Sequence, residues 1–248
     1  RCCFCQNHTI SAENYGRELT SREMADIFLR LQDEGAHNIN LVTPTQFLPF
    51  ILRALDQVRP RLFIPIVYNC GGYELVSTVK ALKDYVDVWL PDLKYFDNGL
   101  AWELSRAGDY FETASAAIAQ MIAQTGPPVF EEHVYSHPGL ADRKFTLIKK
   151  GVIIRHLVLP GHREDSMALL RWICSHLPAD SFLLSLLSQY TPVLPNPKHP
   201  ELNRRLTSYE YDKVVEEAVR LGLTHGYMQK KSSAREEYTP PFNLEGLP

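Results

Sequence analysis

Three of the chain's five cysteines stand within its first five residues, Cys2, Cys3 and Cys5, while Cys70 and Cys174 are isolated. Cys2 and Cys5 form a C-x2-C pair, the spacing that lets two thiolates converge on one metal ion or cluster. Such a pair is a partial signal, because a complete site needs three or four ligands, and a reduced accidental cluster is the alternative. A secreted disulfide framework would spread an even number of cysteines along a shorter chain, so a reducing compartment and a cytoplasmic location are expected. His8 has the spacing of a third zinc ligand, but no neighbour completes a tetrahedral set, which disfavours zinc. His133, His137, His162 and His199 fall in expected loops without spaced partners. Phosphate-binding glycine loops and the nucleophile-elbow motif are absent.

A second group of polar residues follows apolar, strand-like runs. These are Thr43-Pro44-Thr45, then Asn69 with Gly71 and Gly72, then Pro91-Asp92-Leu93-Lys94, and finally Ser188-Gln189-Tyr190. Asp92 and Lys94 share parity, so in extended chain they face one side as an opposite-charge pair. Gly71 and Gly72 would let backbone approach a ligand closely, and Gln189 has the chemistry to bond a sugar or amide. Ordinary turn chemistry explains each loop equally well when taken alone. Arg155 and His156 interrupt the most apolar run of all. A guanidinium there must pair with a structural carboxylate or face a wet cavity, and its bidentate fork suits a carboxylate ligand. His156 points the other way, as a packing residue.

These loops need a scaffold that gathers them. Thr20-Ser21-Arg22-Glu23 reads as a capping box opening a helix that Gly35 stops. Strands are expected over residues 38–43, 62–68, 86–90, 152–159 and 182–188, and helices follow over about 47–58, 75–82, 100–125 (broken near Gly108), 165–177 and 208–221. Cys174 falls in the helical pattern of Leu169, Leu170, Ile173 and Leu177 as a small core residue, and Cys70 is either core or site. Residues 127–150 read as a loop or hairpin insertion. Residues 1–228 then form one domain with a tail over 229–248. Strands alternating with helices imply right-handed βαβ units and a parallel sheet, with chemistry at the C-terminal strand ends. The expected fold class is α/β: a partial parallel (β/α)6 barrel with five strands present and a first strand lost.

Length and composition agree. The 248 residues are 45% hydrophobic and 22% charged, ordinary for a globular chain, and 26 Lys and Arg against 29 Asp and Glu give a net charge of −3. That balance argues against nucleic acid as a partner. No apolar run approaches the roughly 18 residues of a membrane span. The opening at Arg1 in mid-motif reads as a fragment missing its N-terminus.

Arg1-Cys2-Cys3-Phe4-Cys5-Gln6-Asn7 resembles the back half of the radical S-adenosylmethionine signature, C-x3-C-x-aromatic-C. Residues 38–49 (NINLVTPTQFLP), 68–73 (YNCGGY), 88–95 (VWLPDLKY), 155–160 (RHLVLP), 188–192 (SQYTP) and 200–205 (PELNRR) are similar, in order, to homologues of the pyruvate formate-lyase activating enzyme. The resemblance implies a [4Fe–4S] cluster and S-adenosylmethionine as cofactors and reductive cleavage to a 5′-deoxyadenosyl radical. It further implies an electron donor such as a flavodoxin or ferredoxin, and a target that is a small molecule or a glycyl radical protein. By position it makes Cys2 and Cys5 cluster ligands and Cys3 a non-ligand. Phe4 becomes the aromatic beside the adenine, and Asn69, Asp92, Lys94, Arg155 and Gln189 become polar residues around the cofactor. Thr43 and Thr45 stand where related enzymes carry a glycine-rich segment that meets the methionine amine. The first cluster cysteine would lie three residues before Arg1, so the chain as written is expected to hold a cluster poorly and to be inactive, and the insertion is longer than usual. A non-catalytic barrel that binds a nucleoside-like ligand or a protein is the second reading, and a zinc-dependent barrel hydrolase the third.

Overall fold

The computed structural model describes residues 2–7, 10, 15–135, 143–192 and 195–229. His8, the turn Ser136-His137-Pro138-Gly139 and nearly all of the expected tail lie outside the described residues.

Helix α1 (Ser21–Asp33) starts at the expected capping box, in which Thr20 and Glu23 bond each other's backbone. It leads to β1 (Ile39–Val42), a short 3-10 turn (Thr45–Phe47), α2 (Leu48–Val58) and β2 (Ile66–Cys70). Then come α3 (Val76–Ala81), β3 (Val88–Pro91), α4 (Asn98–Ser105) and α5 (Tyr110–Thr125). The remainder is β4 (Val129–Tyr135), β5 (Arg143–Leu157), α6 (Arg163–His176), β6 (Leu183–Leu187), α7 (Ser208–Arg220) and β7 (Gly226–Met228).

The strands run β1-β2-β3-β5-β6-β7 across one parallel sheet, and β4 pairs antiparallel with β5. The fold is therefore α/β with a mainly parallel sheet, but two expectations change. The described residues contain six parallel strands where the pattern showed five. The sixth, β7, is three exposed residues long, too short to carry a period. The second strand also begins later than the run at 62–68. Pro65 lacks the N–H that a central strand must donate, and Phe63 is left 79% exposed.

The 127–150 segment is a hairpin. The first half of β5 pairs with β4, and its second half enters the parallel sheet between β3 and β6. Gly151 is the joint, with φ near 149°, and a Cβ there would lie 3.0 Å from Pro128.

One sheet face is sealed by helices and buries Tyr68, Trp89, Ile154 and Leu184. The other carries the partly exposed Asn69, Leu90, Ile153, Arg155 and Ser185, an open lining that continues through the Asp92–Arg155 and Arg155–Ser185 pairings. Alternation along each strand thus sends fully buried residues under the helices and leaves half-buried ones, polar Asn69, Arg155 and Ser185 beside apolar Leu90 and Ile153, on the open side. Cys174 departs from its expected core place. The buried stripe of α6 is Ser166, Leu169, Leu170 and Ile173, and the next residue rotates out to the surface.

His156 is buried on the helix side, as expected. Its Nδ1–H donates to the Leu93 carbonyl (2.7 Å), so Nε2 accepts from the Ser166 hydroxyl (2.8 Å). Burial holds its pKa below the ordinary value, although Asp165 and Asp92 pull the other way. The unfolded chain then binds the extra proton first, so stability is full above about pH 6.5 and falls as the pH drops below it, by up to about 1.4 kcal/mol per pH unit. Urea unfolding between pH 7.5 and 5.5 should show that slope, and His156→Gln should flatten it.

Candidate functional site at the C-terminal strand ends

Hydrogen bonds tie the strand exits together before any ligand is considered. The Tyr110 hydroxyl lies between the carbonyls of Gly71 (2.8 Å) and Asp92 (2.9 Å) and accepts from the Lys94 N–H (3.0 Å). Gly72, at φ 78°, meets the same turn, and a Cβ there would fall 2.0 Å from the Asp92 carbonyl oxygen. The close backbone approach expected at the glycines is thus made at Gly72 by the chain itself. Asp165 accepts from the backbone N–H groups of Phe96 and Asp97, and Asp97 in turn caps α4 through the Leu100 N–H. This anchors α4 beside the β3 exit.

On that frame sits a row of charges. Arg155 Nη2 donates to Asp92 Oδ1 (2.7 Å) and to Asn69 Oδ1 (2.6 Å), while Lys94 Nζ lies 3.3 Å from Asp92 Oδ2. The three charged side chains are each about one-quarter exposed. Arg155 Nε is buried and finds no hydrogen-bond partner among the described residues. An unmade bond on a buried guanidinium costs roughly 1–3 kcal/mol, so this face is incomplete without an acceptor. Burial lowers the Lys94 pKa, but the charges of Asp92 and Cys2 outweigh it and leave the ammonium firmly protonated.

The cysteine segment lies at the same end. The Cys5 N–H bonds the Cys2 carbonyl (3.3 Å), closing a turn, and the Cys3 N–H bonds the Leu104 carbonyl at the end of α4 (2.8 Å). The Ser105 hydroxyl contacts the Cys2 sulfur at 3.0 Å. Phe4 packs edge-on against Tyr190, ring centres 6.1 Å apart, and Gln6 Nε2 donates to the Gln189 carbonyl. Cys70 lies under the helices, where burial and the nearby Glu74 push its thiol up to about 12, an inert core position.

Other expected site residues are engaged elsewhere. Thr45 donates to Glu74 Oε1 (2.6 Å) and lies 3.1 Å from the Tyr68 hydroxyl. Thr43 takes a left-handed φ of 51° and donates its N–H to the Asn69 carbonyl (2.7 Å). The Gln189 amide oxygen accepts from Gln229 Nε2 (2.9 Å). Sequence reasoning passed over Tyr110, Ser105 and Glu74. It also left His162 and His199 isolated, whereas both reach the Glu201 carboxylate, at 3.3 and 3.4 Å. Spacing could not reveal that pair, since 37 residues separate them.

Among the described residues, no group of three or more His, Cys, Asp or Glu side chains is placed to hold a metal ion. The Cys2–Cys5 turn suits an iron–sulfur cluster in ligand type, because soft thiolates are its usual donors, and supplies two of the thiolates that such a centre needs. No helix among these residues is long and apolar enough to cross a membrane.

No protein-family model matches the chain. It is 30% identical over 234 residues to the uncharacterized protein MJ0674 of Methanocaldococcus jannaschii, an alignment that takes in 90% of this chain and 60% of that protein. The chain therefore spans about 60% of the length of the relative it matches. Among solved structures, Streptococcus suis SuiB bound to S-adenosylmethionine superimposes with a TM-score of 0.58 at 13% identity, covering 98% of this chain and 51% of SuiB. SuiB bound to its precursor peptide SuiA gives 0.55 at 13% identity, covering 93% and 46%. Methylornithine synthase (PylB) gives 0.54 at 17% identity, covering 92% and 60%. At such identities the likeness is one of fold: the chain has the mainly parallel α/β architecture of SuiB and methylornithine synthase.

Proposed function

We propose that this chain is the core of a radical S-adenosylmethionine enzyme. The observation that carries the reading is the meeting, at one end of a parallel sheet, of a C-x2-C turn with the Asn69–Arg155–Asp92–Lys94 row and its unsatisfied guanidinium nitrogen. The likeness in fold to a protein that binds S-adenosylmethionine supports it. So does the order of the sequence blocks that resemble the activating-enzyme homologues.

In this reading Cys2 and Cys5 would hold an iron–sulfur cluster as two of its thiolate ligands. When bound and reduced by an external one-electron donor, the cluster would supply the electron that splits the sulfonium of S-adenosylmethionine into methionine and a 5′-deoxyadenosyl radical. The chain's own residues orient and shield. Arg155 offers its free Nε–H to a carboxylate or hydroxyl oxygen, and the Asp92 carboxylate, which lies between two cations, can accept from a hydroxyl. Phe4 and Tyr190 wall the thiol turn with apolar surface, which keeps water from a reactive radical. The finer reading is that the target is a protein in which a glycyl radical is installed. SuiB, taken with its precursor peptide, supplies a precedent of fold for a polypeptide target.

The test is anaerobic incubation of the reconstituted full-length protein with S-adenosylmethionine and dithionite. The expected product is 5′-deoxyadenosine, formed in proportion to cluster content; none at full cluster content would overturn the reading. One observation favours a non-cleaving nucleoside-binding barrel instead. At the place of the amine-binding segment, the Thr45 hydroxyl is engaged by Glu74 and Tyr68, and the Thr43 backbone N–H is held by the Asn69 carbonyl. Tight binding of S-adenosylmethionine without turnover would select that alternative.

A further inference from the structure

Ser105 is the last residue of α4, and Arg106 stops the helix there by adopting a left-handed φ of 58°. Leu104 and Ser105 are thereby presented to the cysteine turn. The Leu104 carbonyl, unused at the helix end, takes the Cys3 N–H, and the Ser105 hydroxyl takes the Cys2 sulfur at 3.0 Å. Behind Ser105, at 2.5 Å, is the hydroxyl of Tyr95, whose side chain is fully buried.

A serine hydroxyl has one proton and two lone pairs. If its proton goes to the sulfur, its oxygen must accept from Tyr95. The Tyr95 hydroxyl then supplies the proton of its contact with the Ser105 oxygen. The order is then fixed: Tyr95 donates to Ser105, and Ser105 donates to Cys2. The chain also answers an electrostatic difficulty. The C-terminal end of a helix carries partial negative charge, a poor neighbour for a thiolate unless donors intervene.

The geometry points to Ser105 as the residue that tunes the reduction potential of the iron–sulfur centre held through Cys2, with Tyr95 fixing the direction of its hydroxyl. This rests on the iron–sulfur reading above. A hydrogen bond to a ligand sulfur stabilises the more negative, reduced cluster more than the oxidised one, and so raises the potential. Both are positioning residues, since Ser105 acts through the Cys2 sulfur and Tyr95 through Ser105.

The experiment is an EPR-monitored redox titration of the reconstituted full-length protein, comparing wild type with Ser105→Ala, Ser105→Thr and Tyr95→Phe at matched iron and sulfide content. Ser105→Ala should be about tenfold harder to reduce, a midpoint lower by about 59 mV for a one-electron couple. Ser105→Thr, which keeps the hydroxyl, should stay near wild type, and Tyr95→Phe should shift in the same direction by less. An unchanged midpoint in Ser105→Ala at full cluster content overturns the tuning role and leaves the iron–sulfur reading standing. A wild-type protein that takes up no cluster overturns both. Should Ser105→Ala fail to fold, Tyr95→Phe decides, because it leaves the helix end untouched; no shift there overturns the proposal.

Discussion

Asp92→Asn in the full-length protein should bind S-adenosylmethionine about thirtyfold more weakly, roughly 2 kcal/mol, while its melting temperature falls by only about 2–4 °C. Asp92 alone separates two cations, Arg155 at 2.7 Å and Lys94 at 3.3 Å. An amide keeps the shape but removes the charge, so guanidinium and ammonium are left to repel each other, and Arg155 loses the anchor that aims its free Nε–H. The binding loss is large because the geometry of the whole row depends on that carboxylate. The stability loss stays near 1 kcal/mol because each charged side chain is about one-quarter exposed and water screens what remains. Calorimetric titration beside thermal unfolding separates the two effects. Arg155→Lys should weaken binding in the same sense, since an ammonium cannot reproduce a fork. Wild-type affinity in Asp92→Asn would reduce the row to a structural ion-pair network.

The larger expected effect is at the opening turn. In the full-length protein, Cys2→Ser and Cys5→Ser should each remove most of the iron and most of the absorbance near 400 nm after reconstitution, whereas Cys3→Ser should remain close to wild type. The contrast follows from position. Cys2 lies against Ser105 and near Lys94, on the side where the charged row ends. Cys3 is exposed, and its surroundings include Asn196 and Glu201 instead. Hydroxyl oxygen is a poor substitute for thiolate toward iron–sulfur clusters. If Cys3→Ser lost the cluster while Cys5→Ser kept it, the ligand register taken from the C-x2-C spacing would be wrong.

Sequence alone determined whatever is local along the chain. The alternation of apolar runs with amphipathic segments set the α/β class, because a strand period of two and a helix period of 3.6 are written within ten residues. The capping box at Thr20 and the break near Gly108 were legible for the same reason, whereas 127–150, which has no clear period, could be read as either loop or hairpin until its strands paired. Also legible was the Asp92–Lys94 pair, whose partners stand two residues apart. Tertiary structure decided everything that depends on which distant elements meet. Arg155 finds Asp92 and Asn69 only because β2, β3 and β5 lie side by side as parallel strands. Thr45 was available to a ligand on paper, yet Glu74 and Tyr68 take its hydroxyl. Gln189 likewise accepts from Gln229. Ser105 reaches Cys2 across 103 residues of sequence, a contact made only when α4 docks beside the β3 exit. Side-chain type and spacing state what a group can bond, and packing selects the one partner that it bonds, because a buried polar atom must take whatever partner the fold brings within reach.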